Sequence, residues 1–327
     1  MNQKSIDVVL GLQFGDEGKG KITHRLAKNG YDCVLRFNGG SNAGHTIYHN
    51  DKKFITHLIP CGVFYNTLSV IGNGCVVELN NFFKEIDYLK SNGIDTSLVK
   101  IARNAHIITT AQLEEDSKDT EIGTTRTGNG PCYRDKYARK GVRAEEIDVL
   151  KPYLIDMYDL IYSANCNSFL AEGAQAFGLD VDWGDYPYVT SSHCGTGAVL
   201  LNGFNHSHIS RVYGVIKAYS TYVGAKKFQP DDDVFNEIRE VGEEYGATTG
   251  RPRQCNWLDL NLVKRAANMN GVSHILVNKM DILQKIDKGW KLYYGKAFYE
   301  FSHEEDFKKT IINALPDCEV EFSYSPK

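Results

Sequence analysis

Two acids and two lysines stand close together in a glycine-rich segment near the start of the chain. The segment, GLQFGDEGKGK, spans residues 11–21 and directly follows the apolar run Ile6–Leu10. A strand, a glycine turn and a helix in this order direct backbone N–H groups and the positive end of a helix dipole at an anion. The segment therefore predicts a phosphate-binding loop.

The loop departs from the usual pattern of nucleotide-hydrolysing loops. That pattern places a Ser or Thr after the lysine, and its hydroxyl holds magnesium. Here Gly20 follows Lys19, so a magnesium ligand must come from elsewhere, and Asp16 is the nearest candidate. A carboxylate among phosphates is repelled unless it binds a metal or takes up a proton. The alternative is an ordinary helix-capping acid beside a solvated lysine.

The composition excludes several classes of protein. The chain has 327 residues, 42% of them hydrophobic and 24% charged, with a net charge of −4. We therefore expect no general nucleic-acid binding. No apolar stretch approaches the ~20 residues of a membrane span, and no signal peptide is evident, so we expect a cytoplasmic protein without a membrane partner. The eight cysteines contain no CxxC pair and are predicted to be reduced and mostly buried.

Strand-like and helical runs alternate, which predicts an α/β fold with a largely parallel central sheet flanked by helices. We expect a single domain over residues 1–327, with insertions. Residues 48–60 predict a hairpin, because Asn50-Asp51 is typical of a turn. The polar stretch 121–143 has no periodicity, and so long a connection is usually functional. The predicted strands are Ile6–Leu12, Cys33–Phe37, Leu68–Ile71, Val99–Ile108, Ser168–Ala171, Val212–Ala218 and His274–Val277; the predicted helices are Glu17–Lys28, Asn80–Lys90, Val149–Ala164, Asp232–Tyr245, Trp257–Met269 and His303–Ala314.

Seven ordered motifs resemble those of the adenylosuccinate synthetase family. The similarity runs from about residue 6 to the C-terminus, and the short chain resembles the compact archaeal and phage type. It implies a P-loop-like GTP-binding core. The motifs are GLQFGDEGKGK (11–21), GGSNAGHT (39–46), IGTTRTGNGPCYRDKYAR (122–139), EGAQAFGLD (172–180), YPYVTSS (186–192), GATTGRPR (246–253) and NKMD (278–281).

The resemblance implies a magnesium- and GTP-dependent ligase that joins L-aspartate to C6 of a purine mononucleotide through a 6-phosphoryl intermediate. Asp16 matches the base that removes the N1 proton, and also a magnesium ligand together with the carbonyl of Gly44. His45 matches the acid that stabilises charge on the purine oxygen, and Lys19 matches a phosphate contact. These roles suit phosphoryl transfer, which depends on positioned groups around spreading charge.

The remaining site residues are also implied by the resemblance. It implies a homodimer in which Arg139 reaches the neighbouring site. The implied purine-nucleotide contacts are Asn42, Thr125, Arg139, Gln175, Thr190 and Arg251. The implied aspartate contacts are Thr248, Thr249, Arg251 and Arg253. The implied GTP contacts are Gly15, Glu17, Gly18, Lys19, Gly20, Arg253, Asn278, Lys279, Asp281 and Ser323.

The acceptor purine is the open point. Phe14 resembles the phage branch, and Asp185 offers an acceptor for a 2-amino group, so dGMP is slightly favoured. If the protein is encoded by a phage, the expected location is the cytoplasm of the host. IMP is the alternative, because the phage branch usually lacks the acids found here as Asp16 and Asp281. A GTP-binding regulatory protein is the alternative of another class. It predicts a Gly-Lys-Ser/Thr loop, which is absent from the sequence.

Overall fold

The computed structural model describes residues 4–246 and 250–325. In chain order the strands are β1 Ser5–Gly11, β2 Cys33–Arg36, β3 His45–His49, β4 Lys52–Thr56, β5 Leu68–Ile71, β6 Val76–Val77, β7 Val99–Ala102, β8 His106–Ile107, β9 Val142–Arg143, β10 Leu154–Ile155, β11 Ser168–Glu172, β12 Ile209–Lys217, β13 Tyr219–Tyr222, β14 Gln254–Asp259, β15 His274–Asn278, β16 Trp290–Tyr294, β17 Ala297–Phe301 and β18 Glu319–Phe322. The α-helices are α1 Lys19–Ala27, α2 Leu79–Ser91, α3 Thr110–Ser117, α4 Asn129–Tyr137, α5 Gly197–Leu200, α6 Val234–Gly242, α7 Leu260–Asn270, α8 Met280–Ile286 and α9 Glu304–Ala314.

The centre of the fold is a nine-stranded sheet in the order β10-β7-β5-β2-β11-β1-β12-β15-β18. All neighbouring strands are parallel. Its inner strands are almost continuously buried, as expected when helices cover both faces. The α/β prediction is therefore confirmed. Because the strands are parallel, the loops that follow β2, β11, β1, β12, β15 and β18 meet at one edge of the sheet.

Side chains and glycines mark where several helices begin. α1 starts after Gly18, whose φ of 89° ends the preceding turn. The Glu78 carboxylate accepts hydrogen bonds from two backbone N–H groups at the start of α2. Asp259 does the same for α7. Such caps satisfy N–H groups that have no partner inside the helix.

Smaller sheets flank the central one. They have the orders β13-β14-β16-β17, β3-β4 and β6-β8-β9. The predicted hairpin is confirmed, since β3 and β4 pair antiparallel around Asn50 and Asp51, which have φ of 49° and 60°. All eight cysteines are free and seven are buried. Within the described residues, no helix has the length and hydropathy that crossing a membrane requires.

Three sequence predictions need correction. The helix at 149–164 is wrong: a 3-10 segment ends at Tyr153, β10 follows, and a single π turn forms at Asp159–Ser163. Pro152 has no N–H group to continue a helix there. The strand at 99–108 is divided between β7 and β8, which join different sheets. The polar stretch 121–143 contains α4, which sequence periodicity did not indicate.

A buried carboxylate holds the turn after β4. Glu85 is 5% exposed and accepts hydrogen bonds from the backbone N–H groups of His57, Leu58 and Ile59 at 2.8, 2.9 and 3.2 Å.

We predict that Glu85→Ala lowers the free energy of unfolding by about 3 kcal/mol, because three N–H groups lose their acceptor. Denaturant unfolding measures this. Asp148→Ala, which removes a 91%-exposed acid, is the control and should change little; equal losses in both variants would contradict the prediction.

Candidate active site

The predicted phosphate loop connects the end of β1 to the start of α1. Three left-handed positions shape it, Gly15 at φ 92°, Asp16 at 60° and Gly18 at 89°. Two of these suit glycine, whereas Asp16 is a side chain held in an uncommon conformation. Such a position is retained where the surrounding structure fixes it, often at a functional site. The loop thus presents Asp16 at the sheet edge, one-third exposed.

Glu17 organises this loop from inside. Its buried carboxylate accepts hydrogen bonds from the N–H groups of Gln13 at 3.3 Å and Gly15 at 2.8 Å, and it pairs with Lys19 at 2.7 Å. Asn278, at the end of β15, donates to the carbonyl of Glu17 at 2.7 Å. Glu17 and Asn278, both predicted as GTP contacts, therefore support the loop in this structure.

Asp16 is the outer end of a chain of alternating charges. Nε of Arg253 lies 2.9 Å from Oδ2 of Asp16, while its Nη1 lies 2.6 Å from Glu244. Lys217 pairs with the other side of Glu244 at 3.1 Å, and Tyr219 donates to Glu244 at 2.6 Å. Glu244 and Lys217 are fully buried. The buried Nε of Arg253 is close enough to Asp16 for an ion pair, although its N–H is not aligned for a hydrogen bond.

The charged neighbours of Glu244 keep its carboxylate ionised. Burial opposes the charge of Glu244, but Lys217 and Arg253 outweigh burial and lower its pKa to about 2. An ionised Glu244 holds the Arg253 guanidinium in place through a charge-assisted hydrogen bond. The geometry therefore fixes one edge of Arg253 and directs the other towards Asp16.

His45 stands in a second buried group of charges. Its Nδ1 lies 2.7 Å from Oε1 of Glu172, and Arg36 pairs with the same oxygen at 2.8 Å. Gly20 permits the close approach of His45 to α1, since a Cβ there would lie 2.7 Å from the His45 Cβ. Burial and then Arg36 lower the pKa of His45 to about 4 against the opposing Glu172. Burial opposes ionisation of Glu172, but Arg36 and His45 lower its pKa to about 2.

Three of the predicted GTP contacts, Lys279, Asp281 and Ser323, meet at the ends of β15 and β18. Lys279 has φ of 66°, and Asp281 is 16% exposed in the first turn of α8. The Met280 N–H donates to the carbonyl of Ser323 at 3.2 Å, and Lys21 donates to Oγ of Ser323 at 2.7 Å. The structure thus brings Asp281 and Ser323 beside the helix that begins at the phosphate loop.

The predicted purine-nucleotide residues come from two neighbouring loops. Nε2 of Gln175 donates to Oδ1 of Asn42 at 3.1 Å, and the Gly40 N–H donates to the same oxygen at 3.2 Å. Gln175 has φ of 55°. The Thr190 N–H donates to the carbonyl of Leu179 at 2.8 Å, which fixes the loop after β11.

The segments that carry the predicted contacts Thr125 and Arg251 are hydrogen-bonded to each other. The hydroxyls of Thr125 and Thr127 lie 2.9 Å apart. Nη1 and Nη2 of Arg251 donate to the carbonyls of Gly123 at 3.4 Å and Thr124 at 3.2 Å. Arg251 therefore bridges the loop that carries Thr125 and the loop that carries Arg253.

One predicted residue, Arg139, stands apart from this cluster. Arg139 lies just beyond α4, with φ of 61° and an exposed side chain. That position is compatible with reaching a second molecule, and its role stays a prediction. Thr248 and Thr249 lie outside the described residues.

Asp16 and Gly44 offer the oxygen ligands that magnesium prefers. The Asp16 carboxylate is one-third exposed, and Gly44 precedes His45, which packs on α1 beside the loop. The donor set therefore fits magnesium. Both residues remain predicted ligands.

Another group of three, Asp180, Asp182 and His193, has ligand atoms within 4.8 Å of one another. The Asp180 carboxylate accepts hydrogen bonds from the N–H groups of Asp182, Trp183 and Cys194 at 3.0, 3.2 and 2.6 Å. These bonds account for the buried acid as a cap of its own loop.

Sequence reasoning missed the inner members of both charge groups. Arg36, Glu172 and Lys217 are each the last residue of a buried strand, and Glu244 lies just beyond α6. A charged residue that closes an apolar run was the available signal, because such a charge must find a partner.

Comparison with known proteins identifies the family. The family model described as adenylosuccinate synthetase matches residues 8–149 and 145–320. The adenylosuccinate synthetase of Syntrophomonas wolfei is 38% identical over 377 aligned positions, covering 98% of this chain and 86% of the relative. That of Acetivibrio thermocellus is 39% identical and covers 86% of this chain and 79% of the relative. This chain belongs to the adenylosuccinate synthetase family. It is a ligase that forms a C–N bond, and the alternative of a regulatory protein loses its support.

Solved structures agree with this assignment. The fully ligated adenylosuccinate synthetase of Plasmodium falciparum superposes with a TM-score of 0.87 at 30% identity, covering 99% of this chain and 98% of that one. The succinoaminodeoxyadenylate synthetase of cyanophage S-2L, bound to dGMP and dATP, gives 0.78 at 21% identity, covering 99% and 94%. The second likeness concerns the fold alone.

The low pKa of His45 predicts a pH dependence of stability. Its pKa is about 4 in the fold and 6.5 in the unfolded chain, so the unfolded state binds more protons between these values. The stabilisation is present above pH 6.5 and is lost as pH falls towards 4. Between pH 7.5 and 5, we predict that wild type loses about 2 kcal/mol more free energy of unfolding than His45→Gln. Parallel denaturant titrations measure this, and equal pH slopes would rule it out.

Proposed function

We propose that this chain joins L-aspartate to C6 of inosinate (IMP), using GTP and magnesium, through a 6-phosphoryl intermediate. The observation that carries the proposal is the meeting of Asp16, His45 and Asp281 at one sheet edge, in segments that follow β1, β2 and β15. The curated relatives described above are all adenylosuccinate synthetases, which supports IMP rather than dGMP.

The two residues that favoured dGMP have other partners in the structure. The Lys226 ammonium lies 5.0 Å from the ring centres of Phe14 and Tyr222 and 5.6 Å from that of Phe228. The same ammonium pairs with Asp185, which is 61% exposed. A cation–π cluster and its counter-ion explain both residues without a purine 2-amino group. The preference for dGMP therefore stays an untested prediction, and IMP becomes the first candidate.

Asp16 is the group that removes the N1 proton in this proposal. The purine O6 is a weak nucleophile until that proton leaves, after which it can attack the γ-phosphate. Nε of Arg253 lies 2.9 Å from Oδ2 of Asp16 and orients that carboxylate at the edge of the cleft. The guanidinium of Arg253 offers N–H donors of the kind that bind a carboxylate of L-aspartate.

His45 supports the charge that develops on O6 and the transferring phosphoryl group. Glu172 accepts from Nδ1 and fixes the ring, so Nε2 is the atom that faces the reaction. A bound triphosphate adds negative charge beside His45 and favours the imidazolium, which can then donate from Nε2. Lys19, released from Glu17 or shared with it, contacts phosphate.

Magnesium, held by Asp16 and the Gly44 carbonyl, would neutralise charge on the phosphate oxygens. Asp281 accepts from two guanine N–H groups, which favours GTP over ATP. Arg139 reaches the second site of a homodimer, and the chain acts as one unit in the cytoplasm. These proposed roles assign the chemistry of the family to individual residues of this chain.

The acceptor is decided by offering the purified protein GTP, magnesium and L-aspartate with either IMP or dGMP, and weighing the products. We predict a kcat/KM for IMP at least ~10-fold above that for dGMP. Asp185→Asn is the matched variant, and we expect it to leave this ratio unchanged. Succinylated product mainly from dGMP would contradict the choice of IMP, and no product from either purine would overturn the proposed function.

A further inference from the structure

Buried polar atoms without a hydrogen-bond partner collect beside the purine-nucleotide segments. Among the described residues, Asn129 is 7% exposed, yet neither its Oδ1 nor its Nδ2 has a partner. Oε1 of Gln175 is also buried without a hydrogen-bond partner. A buried amide without partners is costly, so its presence in a native fold needs an explanation.

The Asn129 amide lies on the turn that carries Asn42. A Cβ added at Gly40 would lie 2.6 Å from Oδ1 and 3.0 Å from Nδ2 of Asn129. Gly40 donates its N–H to Asn42, which also accepts from Gln175. A Cβ at the preceding Gly39 would lie 2.8 Å from the orphan oxygen of Gln175. Three side-chain amides therefore surround one two-residue turn, and two of them are predicted nucleotide contacts.

Asn129 is also the first residue of α4, a helix of nine residues. The preceding Gly128 has φ of 77° and provides no side-chain cap. A Cβ at Gly130 would lie 3.3 Å from Oγ of Ser191, the neighbour of Thr190. The positive end of α4 thus stands between the segments of Asn42, Thr190 and Thr125, where it favours an anion.

We propose that Asn129 is a further ligand of the purine mononucleotide, and that its Nδ2 donates to an oxygen of the 5′-phosphate at the start of α4. The inference rests on the proposed function, which supplies the nucleotide. A phosphate offers only acceptors at neutral pH, which suits an amide N–H next to a helix N-terminus. Oδ1 takes a hydroxyl of the ribose or a water.

The stability of the ligand-free protein separates a binding role from a structural one. Asn129→Leu removes an unsatisfied amide at nearly constant volume, so we expect the Tm to stay equal or rise. Asn202 is the matched control, because it is 1% exposed and fully bonded: Nδ2 donates to the carbonyls of Phe37 and Ala198, and Oδ1 accepts from Gly74. Asn202→Leu leaves those groups unpaired and should lower the Tm by several degrees.

Calorimetric titration with IMP tests the contact itself. We expect Asn129→Leu to weaken IMP binding about 10- to 100-fold, while KM for GTP and for L-aspartate changes less than about twofold. Asn129→Asp should bind IMP more weakly still, because a carboxylate repels phosphate. Inosine, which lacks the phosphate, should bind both variants and wild type alike.

Wild-type IMP affinity in Asn129→Leu would overturn this inference alone, as would a lowered Tm with unchanged binding. If Asn129→Asp instead shifts the ratio of IMP to GMP binding, the amide reads the base and the phosphate assignment is wrong. If wild type binds and ligates no purine nucleotide, the proposed function falls first and this inference falls with it.

Discussion

A charge cannot be buried without a partner, and at this sheet edge each buried charge has one. Charges of alternating sign follow one another from the interior outwards, in the order Lys217, Glu244, Arg253 and Asp16. A carboxylate therefore ends the series at the surface of the cleft. Removing one member would leave its neighbour uncompensated in a low-dielectric interior. The proposed base is thus the exposed end of a neutral series of charges whose inner members, Lys217 and Glu244, are buried.

The need to pair buried charges also links this edge of the sheet to the core of the fold. Arg36 and Glu172 are the last residues of the adjacent parallel strands β2 and β11, and their register places them opposite each other. Lys217 ends β12 in the same sheet. The backbone ladder that forms the core therefore also sets where His45 and Arg253 are held. This preorganisation supplies oriented charge before any ligand arrives, which is how electrostatic catalysis lowers a barrier.

Sequence reasoning reached the outer parts of this arrangement and missed the inner parts. The glycine loop and the hairpin at Asn50-Asp51 have local signals, since left-handed positions select particular residue types. The α4 helix has polar residues on most sides and follows Gly128, which has no capping side chain, so neither periodicity nor a cap indicates it. The partners of Glu172, Arg36 and His45, lie far from it along the chain, and the pairing of β2 with β11 brings them together.

We propose that the Asp16 carboxylate, held in an uncommon loop conformation beside Arg253, accepts the proton that makes O6 nucleophilic. Single-turnover transfer of the γ-phosphate from GTP to IMP, followed by rapid quench in wild type and Asp16→Asn, measures this step. If Asp16 is the base, the rate falls at least ~100-fold in the variant, with IMP affinity changed only a few-fold. Transfer at the wild-type rate in Asp16→Asn would show that Asp16 is not the base.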